Sequence, residues 1–236
     1  MTDDCGHVVF VKWSMLAFLA GNVNAGGFMA TGRFVTHVTG FSTLFGVDAA
    51  FGRWDQAIGI LSVPLFFLCG SMLSAYLVDH RFHRGLKPHY DWVMFLVFLS
   101  LMAVALGGYF HIFDQFGSAP RLKEDYAMLA LLCMASGLQN AAITTSSGAS
   151  VRTTHLTGLT TDLGIGIVRA LGSPRGATVR SHETRANWLR FGTISAFISG
   201  SLVGGILFLR FEYLGFLLPA IFAFYAMIQA RIDHPS

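Results

Sequence analysis

Six runs of mainly apolar residues punctuate the chain, at roughly 9–30, 57–78, 92–112, 126–148, 188–210 and 212–230. A membrane-crossing helix needs about 20 such residues, because the hydrocarbon core is about 30 Å thick and a helix rises about 1.5 Å per residue. Each run therefore predicts a transmembrane helix. The last two are joined by almost nothing, which predicts a tight helical hairpin. The first run is too long for a signal-peptide core and carries no convincing small-x-small cleavage pattern, so it is expected to stay as a helix. The stretches 31–56 and 149–187 are too polar for ordinary spans and too apolar for free loops.

Composition fits this pattern. Of 236 residues, 53% are hydrophobic and only 12% charged, where a soluble domain carries about 25% charged residues. The chain reads as an integral membrane protein whose first partner is the lipid bilayer. A net charge of +3 is too small to point to nucleic acid. Cys5, Cys69 and Cys133 are scattered, with no pair at metal-ligand spacing, and no cofactor is expected.

Charge placement then sets an orientation, since Lys and Arg favour cytoplasmic loops. The 79–91 loop holds Arg81, Arg84 and Lys87, and the 149–190 segment holds Arg152, Arg169, Arg175, Arg180, Arg185 and Arg190. Segments 31–56 and 113–125 balance their charges. Six spans with both termini in the cytoplasm place the two basic segments inside and the two balanced ones outside.

The chain also repeats itself. "THVTGFSTLFG" at 36–46 returns as "THLTGLTTDLG" at 154–164, "GNVNAGG" at 21–27 as "GLQNAAI" at 137–143, and "FLCGSM" at 67–72 as "FISGSL" at 197–202. The expected architecture is an all-α polytopic membrane protein of two three-helix repeats, 1–115 and 116–236, each with a re-entrant or half-spanning motif helix. Three is an odd number of crossings, so the second repeat enters the membrane inverted, as in many secondary transporters, whose sites lie at the repeat interface near the bilayer midplane.

The order of Asn24-Ala25, a "THVTG" block and then "GLQNA" followed by "VRTTHLTGLTTDLG" resembles the YoaK-type family of small bacterial inner-membrane proteins of unknown function. The resemblance covers nearly the whole chain and implies a multi-pass bacterial inner-membrane protein with a presumed transport role. The chain departs from the family pattern at Asn24, where Asp is frequent, and at Phe41, where the family has Asn after Thr-Gly.

On a helix, Thr36, Thr39, Gly40 and Thr43 fall on one face, opposite Val38, Phe41 and Phe45. In the second copy Thr154, Thr157, Gly158 and Thr161 face away from Leu156, Leu159 and Leu163. A hydroxyl stripe in hydrocarbon is costly unless partnered or wet, so the two segments are expected to dip in from opposite sides and meet. Their N-terminal turns, with His37 and His155, suit a small solute, an anion included. Asn24, Gln139 and Asn140 would complete a polar ring. Asp162 lies two turns below His155, where the first copy has Leu44, and is the candidate proton-coupling group. The bland alternative is that the threonines bond back to their own helix and the glycines serve packing.

Gly200-xxx-Gly204 and Gly70-xxx-Ser74 predict close helix contacts, within one chain or across a homodimer. "HRFH" at 80–83 with His89 reads as a headgroup face rather than a metal site. The favoured function is a small secondary transporter or permease and not an enzyme. A membrane enzyme using His155 and Asp162, or a scaffold subunit without transport, are the alternatives.

Overall fold

The computed structural model describes residues 3–118, 123–147, 156–172 and 176–233. Among them the chain is entirely helical: α1 (Asp3–Thr31), α2 (Val38–Ala50), α3 (Trp54–Leu77), α4 (Asp79–His83), α5 (Tyr90–Tyr109), α6 (Lys123–Ser146), α7 (Leu156–Gly172), α8 (Gly176–Phe211), a 3-10 turn (Glu212–Phe216) and α9 (Leu217–Asp233). Four stretches are long and apolar enough to cross a membrane: Gln56–His83, Tyr90–Tyr109, Glu124–Ser146 and Glu183–Asp233. The last runs through α8, the 3-10 turn and α9, but these two helices do not pack as the tight hairpin expected from the sequence: α8 lies on α1 and α7, and α9 on α5 and α1. α1 adds a helix of 29 residues. "HRFH" forms α4, where Tyr76 stacks on His80 at 5.4 Å.

The interior is mainly apolar, but it also takes in polar side chains, and large apolar side chains cover the outside. α3 exposes Ile58, Leu61, Leu65, Leu68, Met72 and Tyr76, a stripe at helical spacing. Asn22, Asn24, Ser74, Ser100, Ser136, Gln139, Asn140 and Thr193 are buried. Large apolar side chains outside, with polar ones turned inward where most find partners, suit a hydrocarbon surround.

Close helix crossings hold this bundle together, and glycine makes them possible. A Cβ on Gly21 of α1 would lie 2.1 Å from the Phe197 carbonyl oxygen of α8, and one on Gly200 would lie 2.0 Å from that of Phe18. The α3–α6 crossing repeats this: Gly137 meets the Phe67 oxygen at 2.1 Å and Gly70 the Met134 oxygen at 2.2 Å. Ser201 Oγ donates to the Gly21 carbonyl at 3.1 Å, and Ser71 Oγ donates to the Gly137 carbonyl at 3.3 Å. The small-residue spacings thus serve contacts within one chain. These backbones touch because no side chain stands between them, which substitutes dispersion and hydroxyl bonds for the hydrophobic drive that lipid removes.

The remaining helices build a ring. α1 packs on α6, α6 on α5, α5 on α9 and α9 on α1. Outside the ring, α2 lies against α3 and α7 against α8. Ion pairs fasten each outer helix. Asp48, at the end of α2, is held by Arg53 at 2.6 Å and Arg33 at 4.0 Å. Glu183 of α8 sits 3.7 Å from both Arg169 of α7 and Arg190.

Candidate functional site

The first motif copy places its residues in two groups. Thr36 is buried and its hydroxyl donates to Asn24 Oδ1 at 2.8 Å, so these two expected site residues do meet. His37 caps the start of α2 without a side-chain capping bond. Its ring lies 5.1 Å from Phe34, which stacks on Phe28 at 4.5 Å. Burial holds the His37 imidazole below the ordinary histidine value, because desolvation penalises its charged form. Thr39 and Thr43 are exposed, Gly40 is half-buried, and Phe41 is the buried member of the turn. Thr43 donates back to the Thr39 carbonyl at 3.2 Å.

The second copy behaves alike where it is described. Thr154 and His155 lie outside the described residues. Thr157, Gly158, Thr161 and Asp162 are exposed, whereas Leu159 is buried. Thr161 donates to the Thr157 carbonyl at 2.9 Å. From Thr39 and from Thr157 onward the hydroxyls therefore point outward, while Phe41 and Leu159 pack inward. Among the described residues α2 and α7 form no packed interface with each other. The physical reason is that periodicity marks two faces but not which one turns inward. An aliphatic or aromatic face against a glycine-rich neighbour packs better than a row of hydroxyls that can satisfy themselves on their own helix.

Gln139 and Asn140 lie elsewhere, on α6 beneath the centre of the ring. Both are buried. Gln139 Nε2 donates to the Leu16 carbonyl of α1 at 2.7 Å, tying the two halves of the chain together. Asn22, one turn from Phe18, is fully buried against Gly204 and neither of its side-chain polar atoms has a hydrogen-bond partner. Such an amide costs about 1–3 kcal/mol.

Above Gln139, the ring of α1, α6, α5 and α9 opens into a cavity of about 480 Å³. Its walls include Trp13, Leu16, Met94, Ala142, Ile143 and Ala226, with Lys12, Tyr90, Ser146, Gln229 and Asp233 near its mouth. Lys12 Nζ bonds Asp233 Oδ2 across that mouth. Gln229 Nε2 donates to the Tyr225 hydroxyl at 3.0 Å. The walls are apolar, the polar groups are few and convergent, and the volume falls in the range of small-molecule sites.

At the opposite end of the same helices the ring is plugged. Phe208 and Phe216 are fully buried, 4.7 Å apart between ring centroids. Phe116 stacks on Phe208 at 6.3 Å and meets Tyr213 edge-on at 5.0 Å. Glycines receive these rings: a Cβ on Gly108 would fall 2.0 Å from Tyr213 Cγ, and one on Gly26 would fall 2.3 Å from Phe208. The Tyr213 hydroxyl donates to the Asp114 carbonyl at 2.8 Å.

None of the residues of the two motif copies lines this cavity. One signal was visible. Lys12 is a charge inside the first apolar run, and an ionisable residue within a span points to function. The remaining wall residues are ordinary apolar ones that sequence does not distinguish from core. Among the described residues no three His, Cys, Asp or Glu side chains gather as a metal site. No curated protein and no solved structure matches the chain. The model of a family described as proteins of unknown function, DUF1275, matches residues 13–229, and the chain belongs to that family.

Proposed function

We propose that the protein is a small secondary transporter whose solute enters the cavity enclosed by α1, α5, α6 and α9. The observation that carries this reading is the unequal pair of ends: an open, polar-rimmed cavity at one and, at the other, a tight plug of rings from α8, the 3-10 turn and the segment after α5, seated against α1 and α5. A carrier resting with one side open has this form, and the second state would close the rim and part the rings.

The reciprocal crossings support an inverted repeat. Gly21 and Gly200 stand to α1 and α8 as Gly137 and Gly70 stand to α6 and α3, and Ser201 pairs with Gly21 as Ser71 does with Gly137. The ring then takes α1 and α5 from the first repeat and α6 and α9 from the second, so the cavity lies at the repeat interface. The unpartnered Asn22 and the Gln139 bridge below the cavity floor are groups that a rearrangement of the halves can re-pair. We place the protein, as a YoaK-type member, in the bacterial inner membrane with both termini and the open end cytoplasmic. In this reading the outward hydroxyl faces of α2 and α7 are secondary to the ring, Gln139 and Asn140 are the polar groups beside the cavity, and the Asn24–Thr36 pair lies about two turns further along α1.

A cysteine cross-link tests the reading. In a background lacking native cysteines, Lys12→Cys is oxidised to Asp233→Cys, which holds the mouth shut. A reporter, Phe116→Cys blocked from the cross-link by sequential labelling, is then offered a water-soluble maleimide. Transport predicts that shutting the mouth raises reporter labelling several-fold. Unchanged labelling, as for a rigid scaffold, overturns it.

A further inference from the structure

Lys12 and Asp233 are the two opposite charges at the mouth of an otherwise apolar cavity, and they neutralise each other. Their side chains keep 34% and 43% of their surface exposed, so a solute can reach both without unfolding either helix. A lone anion taking Lys12 would strand the Asp233 carboxylate beside an apolar wall. A lone cation taking Asp233 would strand the Lys12 ammonium. Either exchange leaves one charge uncompensated as water leaves the site. A zwitterion whose two charges sit close together replaces the pair with two pairs and strands nothing.

We infer that the cavity binds an amino-acid-like zwitterion with an apolar side chain, its carboxylate on Lys12, its ammonium on Asp233 and its side chain among Trp13, Leu16, Met94 and Ala226. This rests on the cavity being the transport site, and it adds the solute class. Lys12 and Asp233 touch directly, which matches an ammonium and a carboxylate carried on one carbon better than the separated termini of a longer peptide. Leu16, Met94, Ala142, Ile143 and Ala226 give an apolar side chain its contacts, while Tyr90, Ser146 and Gln229 stay near the mouth. Breaking the Lys12–Asp233 pair also releases the ends of α1 and α9 from each other, so occupancy and movement of the mouth are coupled through the same two residues.

Trp13 gives the test its readout, because Trp54, Trp92 and Trp188 are exposed and can be changed to Phe away from the cavity. In nanodiscs, L-phenylalanine is titrated against this variant with excitation of tryptophan alone, beside 3-phenylpropionate and phenethylamine. Thermal stabilisation of the unaltered protein is measured in parallel. The expected result is a saturable change with phenylalanine and binding weaker by about tenfold or more for each analogue lacking one charge. Lys12→Met should erase the preference over phenethylamine, and Asp233→Asn the preference over 3-phenylpropionate. The exchanged pair, Lys12→Asp with Asp233→Lys, should retain binding of phenylalanine. Equal binding of all three compounds, or no saturable response to phenylalanine in either measurement, overturns the inference. The cross-link experiment separates the two readings. Coupled movement without a zwitterion response leaves a transporter of another solute, and a zwitterion response without movement leaves a binding protein.

Discussion

The two ends of the ring differ in what fills them: rings from α8, the 3-10 turn and the segment after α5 at one, open space at the other. At the plugged end, glycines at 26, 107 and 108 accept the rings of Phe208, Phe113 and Tyr213, so each of these three has a fitted seat. At the open end, Leu16, Ala142 and Ala226 of α1, α6 and α9, with Trp13 and Met94, line a cavity that no side chain fills. Dispersion contacts are saturated at one end and forgone at the other. A protein that only needed stability would fill both. The unfilled end is held instead by one ion pair, Lys12–Asp233, which is exposed enough to be worth little as a staple.

This contrast can be broken in measurable ways. Phe208→Ala should cost the most, about 3–5 kcal/mol of unfolding free energy by analogy with buried aromatic truncations, read by denaturant or detergent titration. A cost below about 1 kcal/mol would mean that the plug is not tightly packed. Adding volume separates the ends next. Gly108→Leu, directed into Tyr213, should destabilise by about 1–3 kcal/mol, whereas Ala226→Leu, directed into the cavity, should leave stability within about 0.5 kcal/mol of the parent while abolishing solute binding. Equal costs for the two would remove the distinction. Lys12→Met and Asp233→Asn should each change stability by less than about 1 kcal/mol, so a larger loss would make the pair a structural clamp.

The smallest effect lies outside the ring. Burial lowers the His37 pKa, so the folded state binds fewer protons there than the unfolded chain. Its contribution to stability is full above the ordinary histidine value and is lost as pH falls through that value toward the lower, folded one. Between about pH 7.5 and about 5.5 the parent should therefore lose slightly more melting temperature than His37→Gln. An identical pH response would mean that this ring takes up a proton as easily in the fold as in solution.

The spans were legible because the bilayer sets their length. α3, α5 and α6 begin and end within a few residues of the expected runs, and the break between α8 and α9 falls at the expected 211–212 although the two helices then pack on other partners. The crossings were legible too, since Gly21, Gly137, Gly70 and Gly200 recur at matching places. The direction of the motif helices was not. Thr39 and Phe41 lie on opposite faces of α2, and in a membrane protein neither face is driven inward by water. The choice falls to packing against α3, which periodicity does not encode. The cavity was hidden for a related reason: it is made by the absence of bulk at Ala142 and Ala226, and a small residue reads the same whether it faces a neighbour or a void.

The most direct test of the central claim follows one pair of helices at both ends at once. Spin labels at Val11 and Trp92 report the α1–α5 separation at the open end, and labels at Phe28 and Phe110 report it at the plugged end; all four positions are exposed. Pulsed dipolar distances in nanodiscs should show two populations at each end, the shorter at 11/92 rising together with the longer at 28/110 when solute is added. A single distance at both ends, unchanged by any condition, would contradict the account.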